Sequence, residues 1–262
     1  MVSWTDSHNH LHDPRLGDAS PVITAMKAAG VGRCVVNATC EADWPAVEAL
    51  ALSHPDFILP AFGIHPWKAH TATEGWRERL EALLEKHPRA TLGECGLDKW
   101  VSFPTLDIQL PIFHSQLALS RETGRPLTIH CLRAWGVLLE SLVAQPPPRF
   151  LMHSFGGSIE TARQIIPLGA WFSFSGHFLH PRKAAALDVF RQLPRDRILL
   201  ETDAPDMLPP AEIIRHPLPE DLNHPANLPA IGGALASALG MPADELASLT
   251  HANASAFFAL SE

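Results

Sequence analysis

His8 and His10 stand two residues apart at the end of an apolar segment, in the run Asp6-Ser7-His8-Asn9-His10. On an extended chain residues two apart project to the same side, so both imidazoles can face one metal ion. Taken alone, such a pair suits a polar strand end equally well in a chain with 15 histidines. His65, Glu94, His130, His153 and Asp203 each fall at or just past the end of another short apolar run. Neutral imidazole and carboxylate are the donors with which hydrolases hold Zn, Mn or Mg, and such ions activate water and draw in anionic substrates. As a set, these residues predict a shared polynuclear metal site, provided the fold brings the strand ends together.

Eight segments read as strands: Val2–Ser7, Arg33–Ala38, Phe57–Gly63, Ala90–Glu94, Pro126–His130, Arg149–His153, Ala170–Phe174 and Arg197–Asp203. The stretches between them carry helical periodicity. Residues 74–87 place Trp76, Leu80, Leu83 and Leu84 on one face and stop at Pro88. Residues 108–123 do so with Leu110, Phe113 and Leu117, with Pro111 expected in the first turn and Gly124 at the end. A last helix runs from about Pro242 through Leu246, Leu249 and Phe257.

Strands alternating with helices predict the α/β class, and eight such units predict a single-domain (β/α)8 TIM-type barrel over residues 1–262. That fold would gather the candidate ligands at one mouth. Periodicity alone equally permits an open doubly wound sheet. The segment 204–229, rich in Pro, Leu and His, predicts a long functional or mobile loop over the mouth.

Composition narrows the function. The 262 residues carry a formal net charge of -8, which argues against a protein that grips nucleic acid mainly through excess Lys and Arg. An anionic substrate stays open, because bound divalent ions supply positive charge locally. The cysteines at 34, 40, 95 and 131 form no CxxC pair, and the start MVSWTDSHNH lacks the basic and apolar regions of a signal peptide. A reduced, cytoplasmic chain is expected. No apolar run approaches the ~20 residues that cross a bilayer, so no membrane association is expected; separately, no feature of the sequence points to an obligate protein partner.

Seven local patterns together carry a resemblance. DSHNHL (6–11), GIHP (63–66), LGECGLD (92–98), TIHC (128–131), MHSFGG (152–157), LLETDAP (199–205) and NASAFF (253–258) resemble, in order, the motif set of the TatD-type metal-dependent hydrolases, a deoxyribonuclease family within the amidohydrolase superfamily. The match spans nearly the whole chain. It implies a (β/α)8-type barrel, two divalent metal ions (Mg, Mn or Zn), and phosphodiester hydrolysis of DNA, as an exonuclease-type activity.

In that pattern His8, His10 and Asp203 would hold one ion, His130 and His153 the second, and Glu94 would bridge them. Asp203 would also take the proton of the attacking water, and His65 would contact the substrate phosphate. The resemblance breaks at Asn223-His224-Pro225, where the family pattern reads Asn-Glu-Pro, so substrate preference is where this chain is expected to diverge. Few Lys and Arg lie near the expected mouth, which favours ends, single strands or small phosphoesters over long duplex DNA.

Arg133, three past His130, is a further candidate for a phosphate contact, against the commoner solvated Arg at a helix start. Trp67, Trp100 and Trp135 follow strand ends and could stack on bases or simply pack at the rim. His12, His54, His87, His114 and His251 read as ordinary surface or core residues, and Cys95 and Cys131 as buried packing. Two competing functions stand beside the nuclease: a hydrolase of an amide, lactone or other small ester, and a metal-binding protein without turnover.

Overall fold

A computed structural model describes residues 3–259. Its strands are β1 (Trp4–Asn9), β2 (Val31–Asn37), β3 (Ile58–Phe62), β4 (Thr91–Asp98), β5 (Leu127–Leu132), β6 (Phe150–Met152), β7 (Ala170–Ser175) and β8 (Ile198–Glu201). They run parallel in the order β1 to β8. All eight expected strands are present; Val2, at the start of the first, lies outside the described residues.

The helices are α1 (Ala19–Ala29), α2 (Trp44–Ser53), α3 (Trp76–Lys86), α4 (Leu106–Thr123), α5 (Trp135–Ala144), α6 (Ile159–Ile165), α7 (Ala184–Gln192), α8 (Leu228–Leu239) and α9 (Ala243–Phe258). One helix follows each strand, and α9 is additional. The three helices read from periodicity are α3, α4 and α9. Pro111 is a correction: it lies in the second turn of α4 rather than the first. Its ring is exposed, so the helix absorbs the missing N–H bond on its solvent side.

Side chains from alternate strand positions fill two cores. The larger lies between strands and helices and includes Phe62, Phe113, Phe172 and Phe174. The smaller gathers Val35, Leu59, Leu151 and Leu199 around Phe257 and Phe258 of α9. The last helix thus joins strand residues in a core of its own and brings its aromatic end to the chain's inner packing.

The β8–β1 seam closes the barrel through side chains and strand-end amides. Ser7 Oγ donates to Leu200 O at 2.9 Å, and Asp6 accepts from Thr202 N at 3.0 Å and Thr202 Oγ1 at 2.6 Å. Asp203 N donates to His8 O and His10 N to Ala204 O, at 3.0 and 2.8 Å. Burial pushes the Asp6 carboxyl up to about 7, against the hydrogen bonds from Thr202, Asn9 and His8 that favour its ionised form. The seam therefore fixes three of the candidate ligands by their backbones.

Two register shifts aim side chains at the mouth. In β1, Asp6 pairs with Cys34 and Asn9 with Val36, three steps against two. In β4, Leu92 pairs with Leu127 and Cys95 with Ile129, again three against two. An extra residue of this kind bends a strand and redirects its side chain. Glu94 is thereby a correction to the expected boundary: β4 continues to Asp98, and Glu94 sits inside the strand at its bulge.

Gly96 lies opposite His130 with a φ of 138°, and a Cβ there would come 1.9 Å from His130 O. Gly96→Ala is therefore expected to destabilise the fold by about 2–4 kcal/mol, the range of a strained backbone plus a hard clash. Urea unfolding checks it; unchanged stability would mean that β5 can retreat at no cost.

Candidate metal centre

The barrel brings His8, His10, His65, Glu94, His130, His153 and Asp203 into one buried cluster around Glu94. Glu94 Oε2 lies 3.2 Å from His8 Nε2 and 3.4 Å from His10 Nε2. Asp203 Oδ1 faces the same two nitrogens at 3.4 and 3.5 Å. The other oxygen, Glu94 Oε1, lies 2.7 Å from His153 Nε2 and 3.3 Å from both His130 Nδ1 and His65 Nε2. Three overlapping trios hold their donor atoms within 4.8 Å: His8–His10–Asp203, His8–Glu94–His153 and His65–Glu94–His130.

Partners on the far side of each ring decide which nitrogen is free. His10 Nδ1 donates to Asn37 O at 2.8 Å, leaving the Nε2 lone pair facing Glu94 and Asp203. His130 Nε2 donates to Asp98 Oδ2 at 2.9 Å, leaving Nδ1 facing Glu94. Carbonyls and carboxylates behind imidazoles are the usual orienting groups of metal-binding histidines. His65 is the opposite case: Nδ1 accepts from Trp67 N at 3.1 Å, so the neutral ring carries its proton on Nε2 and presents a donor, not a lone pair. Burial lowers the His65 pKa to about 4, so the ring stays neutral at pH 7.

The donor set fits divalent ions. His8 is fully buried, and neither ring nitrogen has a hydrogen-bond partner, although Nε2 faces two carboxylate oxygens. Burial opposes charge on His8, His10, His130 and His153, yet all four pKa values are raised by facing carboxylates. Burial likewise opposes charge on Glu94, but the surrounding histidines hold it well below its usual range, and His10 and His8 do the same for Asp203. A pocket that favours cationic imidazoles around two carboxylates favours metal cations by the same electrostatics.

Protons and metal compete for those lone pairs. Because the histidine values are raised, competition begins above their ordinary 6.5. Metal affinity is expected to weaken as pH falls through an interval that opens above 6.5. Calorimetric titration with Mn checks this; a flat affinity across that interval would remove these imidazoles as ligands.

Asp98 and Glu201 are not singled out by sequence reasoning, although both lie inside quoted motifs. Asp98 accepts from His130 and also from Trp67 Nε1 at 2.6 Å. Glu201 accepts from Ser154 N and Oγ at 2.7 and 2.6 Å and from Ser173 Oγ, and its Oε1 faces His153 Nδ1 at 3.7 Å. Both buried carboxylates stand behind ligand candidates.

Arg133 stands apart from the cluster: it is exposed and its guanidinium packs 3.8 Å over the Trp100 ring. Trp67, Trp100 and Phe103 are exposed, whereas Trp135 packs on Phe155. His114 bonds Ser141 and His251 bonds Thr5, each at 2.9 Å. Cys95 is buried and Cys131 half-buried.

The 204–229 loop is tied down. Asn223 bonds Thr202 O through Nδ2 and Pro205 O through its amide, and Asn227 Oδ1 accepts from Arg215 N and His216 N. His224 Nδ1 accepts from Ala226 N at 3.0 Å, capping the 3-10 turn Pro225–Asn227. Burial and His216 lower its pKa to about 4, so it is neutral where the family pattern has an acid.

A parallel eight-stranded barrel with a buried imidazole–carboxylate cluster at the C-terminal ends of its strands defines the metal-dependent hydrolase class. The sequence pattern described as TatD related DNase matches residues 5–259, and the chain belongs to that family. It is 32% identical over 249 residues to "3'-5' ssDNA/RNA exonuclease TatD" of Edwardsiella piscicida, covering 93% of this chain and 94% of that one. It is 31% identical to the "Uncharacterized metal-dependent hydrolase YabD" of Bacillus subtilis, covering 97% and 98%. The crystal structure of YJJV, a TatD homolog from Escherichia coli, superposes with a TM-score of 0.91 over the whole of both chains at 29% identity. No helix among the described residues is long and apolar enough to cross a membrane.

Proposed function

We propose that this chain hydrolyses phosphodiester bonds at the ends of single-stranded nucleic acid, with two divalent ions. The observation that carries the reading is Glu94, whose two oxygens face two different sets of imidazoles. His8, His10 and Asp203 would hold one ion, His130 and His153 the other, with Glu94 shared. Bound divalent ions supply Lewis acidity, lowering the pKa of water toward ~7 and offsetting the charge of the phosphate.

The chain's own groups complete the chemistry. Asp203 is held ionised and so can accept a proton from the attacking water. His65 presents Nε2–H toward the cluster, suited to a non-bridging phosphate oxygen. The exposed Trp67 and Trp100, with Arg133 over the latter, offer flat faces on which unpaired bases stack. The exonuclease named among the relatives supports the same substrate class.

The test is elemental analysis of protein purified without chelator, followed by turnover of bis-nitrophenyl phosphate and end-labelled single-stranded DNA against an amide and lactone panel. One to two ions per chain and hydrolysis confined to phosphodiesters are expected. Turnover of a lactone or amide alone would overturn the substrate, and active protein free of divalent metal would overturn the mechanism.

A further inference from the structure

The residues entering β4, β5 and β6 enclose a cavity of about 300 Å³ at the pole opposite the metal centre. Arg89, Arg125 and Arg149 line it from three separate connections, and among the described residues no Asp or Glu does. Among the described residues, ion pairs engage Arg15, Arg77, Arg79, Arg191 and Arg197, but none of these three.

Arg125 is fixed by neutral groups. Its guanidinium donates to the carbonyls of Leu84 and Pro88 at 2.7 and 2.9 Å and also to those of His87 and Ala90. These bonds hold the charge in place without neutralising it. Two residues of the cavity wall carry unsatisfied polar atoms behind its surface: Arg149 Nε and Thr91 Oγ1 are buried and have no hydrogen-bond partner among the described residues. Burial lowers the pKa of both Arg125 and Arg149. The three arginines thus bring positive charge to one cavity whose wall carries no acidic side chain among the described residues.

We propose that this cavity is a second, non-catalytic site that binds a phosphate group, either inorganic phosphate or the phosphate of a mononucleotide. A planar carboxylate occupies one guanidinium fork, whereas a tetrahedral oxyanion offers oxygens to several donors arriving from different directions. Arginines that line one cavity from three separate connections match that demand.

Calorimetric titration of the metal-loaded protein with inorganic phosphate, at constant ionic strength in chloride, tests the assignment. Arg149→Gln and Arg89→Gln are each expected to weaken one phosphate-binding event by about tenfold, the scale of a lost charge-assisted contact. Phosphate inhibition of phosphodiester turnover reports the metal centre and should not change in either variant. Arg89 is exposed, so its substitution keeps the test valid if Arg149→Gln folds poorly. A parallel titration with a 5'-mononucleotide separates the sources: tighter binding than inorganic phosphate assigns the site to the nucleotide, equal binding to free phosphate. Wild-type phosphate binding in both variants, or no binding outside the metal centre, would overturn the proposal.

Discussion

Glu94→Ala is expected to strip the protein of most of its bound metal and to lower phosphodiester turnover by more than about 100-fold, beyond the 10–100-fold typical of losing a group behind a ligand. The reason is positional. Glu94 Oε2 faces His8 and His10 at 3.2 and 3.4 Å, while Oε1 faces His153 and His130 at 2.7 and 3.3 Å. One substitution therefore removes an oxygen from both halves of the cluster. It also leaves four imidazoles whose raised pKa values depend in part on that carboxylate. His130→Ala and His153→Ala each remove a donor from one half, so each should leave more metal behind. Metal content of the three variants, measured side by side, decides the matter. Two ions held by Glu94→Ala with wild-type affinity would reduce the carboxylate to a packing group.

Why Glu94 can do this was only half visible in the amino-acid order. Its chemistry and its nearness to the other candidates followed from strand periodicity. Its place inside β4 did not, because a bulge is a property of two paired strands: only the pairing of Leu92 with Leu127 and Cys95 with Ile129 reveals the extra residue. His8 and His10 do share a side as alternation predicts, although β1 carries a bulge of its own.

The partners behind the ligands were less legible. Asp98 and Glu201 stand in quoted motifs, but their roles depend on which ring nitrogen each meets. The partner of His10 is a backbone carbonyl, Asn37 O, which leaves no mark on residue type. Arg89, Arg125 and Arg149 lie far apart in sequence, and only the closed barrel brings them to the wall of one cavity. For His224, a departure from the family pattern was readable, whereas its capping bond to Ala226 N required the loop's conformation.

Asp203→Asn is expected to keep much of the metal while phosphodiester turnover falls on the order of 10²–10⁴-fold, the usual range for losing a general base. Asparagine preserves the size of the side chain and one oxygen toward His8 and His10, which Asp203 Oδ1 approaches at 3.4 and 3.5 Å. It cannot accept the proton of the attacking water. Metal-free protein should be slightly less stable in the variant. Burial opposes the Asp203 charge, but His10 and His8 outweigh it and lower the pKa. A lowered carboxylate pKa contributes stability above the unfolded value of about 3.9 and loses it as pH falls through the folded value; asparagine has no such contribution at neutral pH. Single-turnover kinetics on metal-loaded protein, with melting curves of the metal-free form, separate the two effects. Near-wild-type turnover with both ions bound would remove Asp203 as the base. His65 could not simply replace it, because its Nδ1 is engaged by Trp67 N–H and its Nε2 carries the proton of the neutral ring. The proton would then have to leave through another group on the cluster, and Glu94, whose oxygens face His8 and His10 on one side and His130 and His153 on the other, is the carboxylate placed to take it.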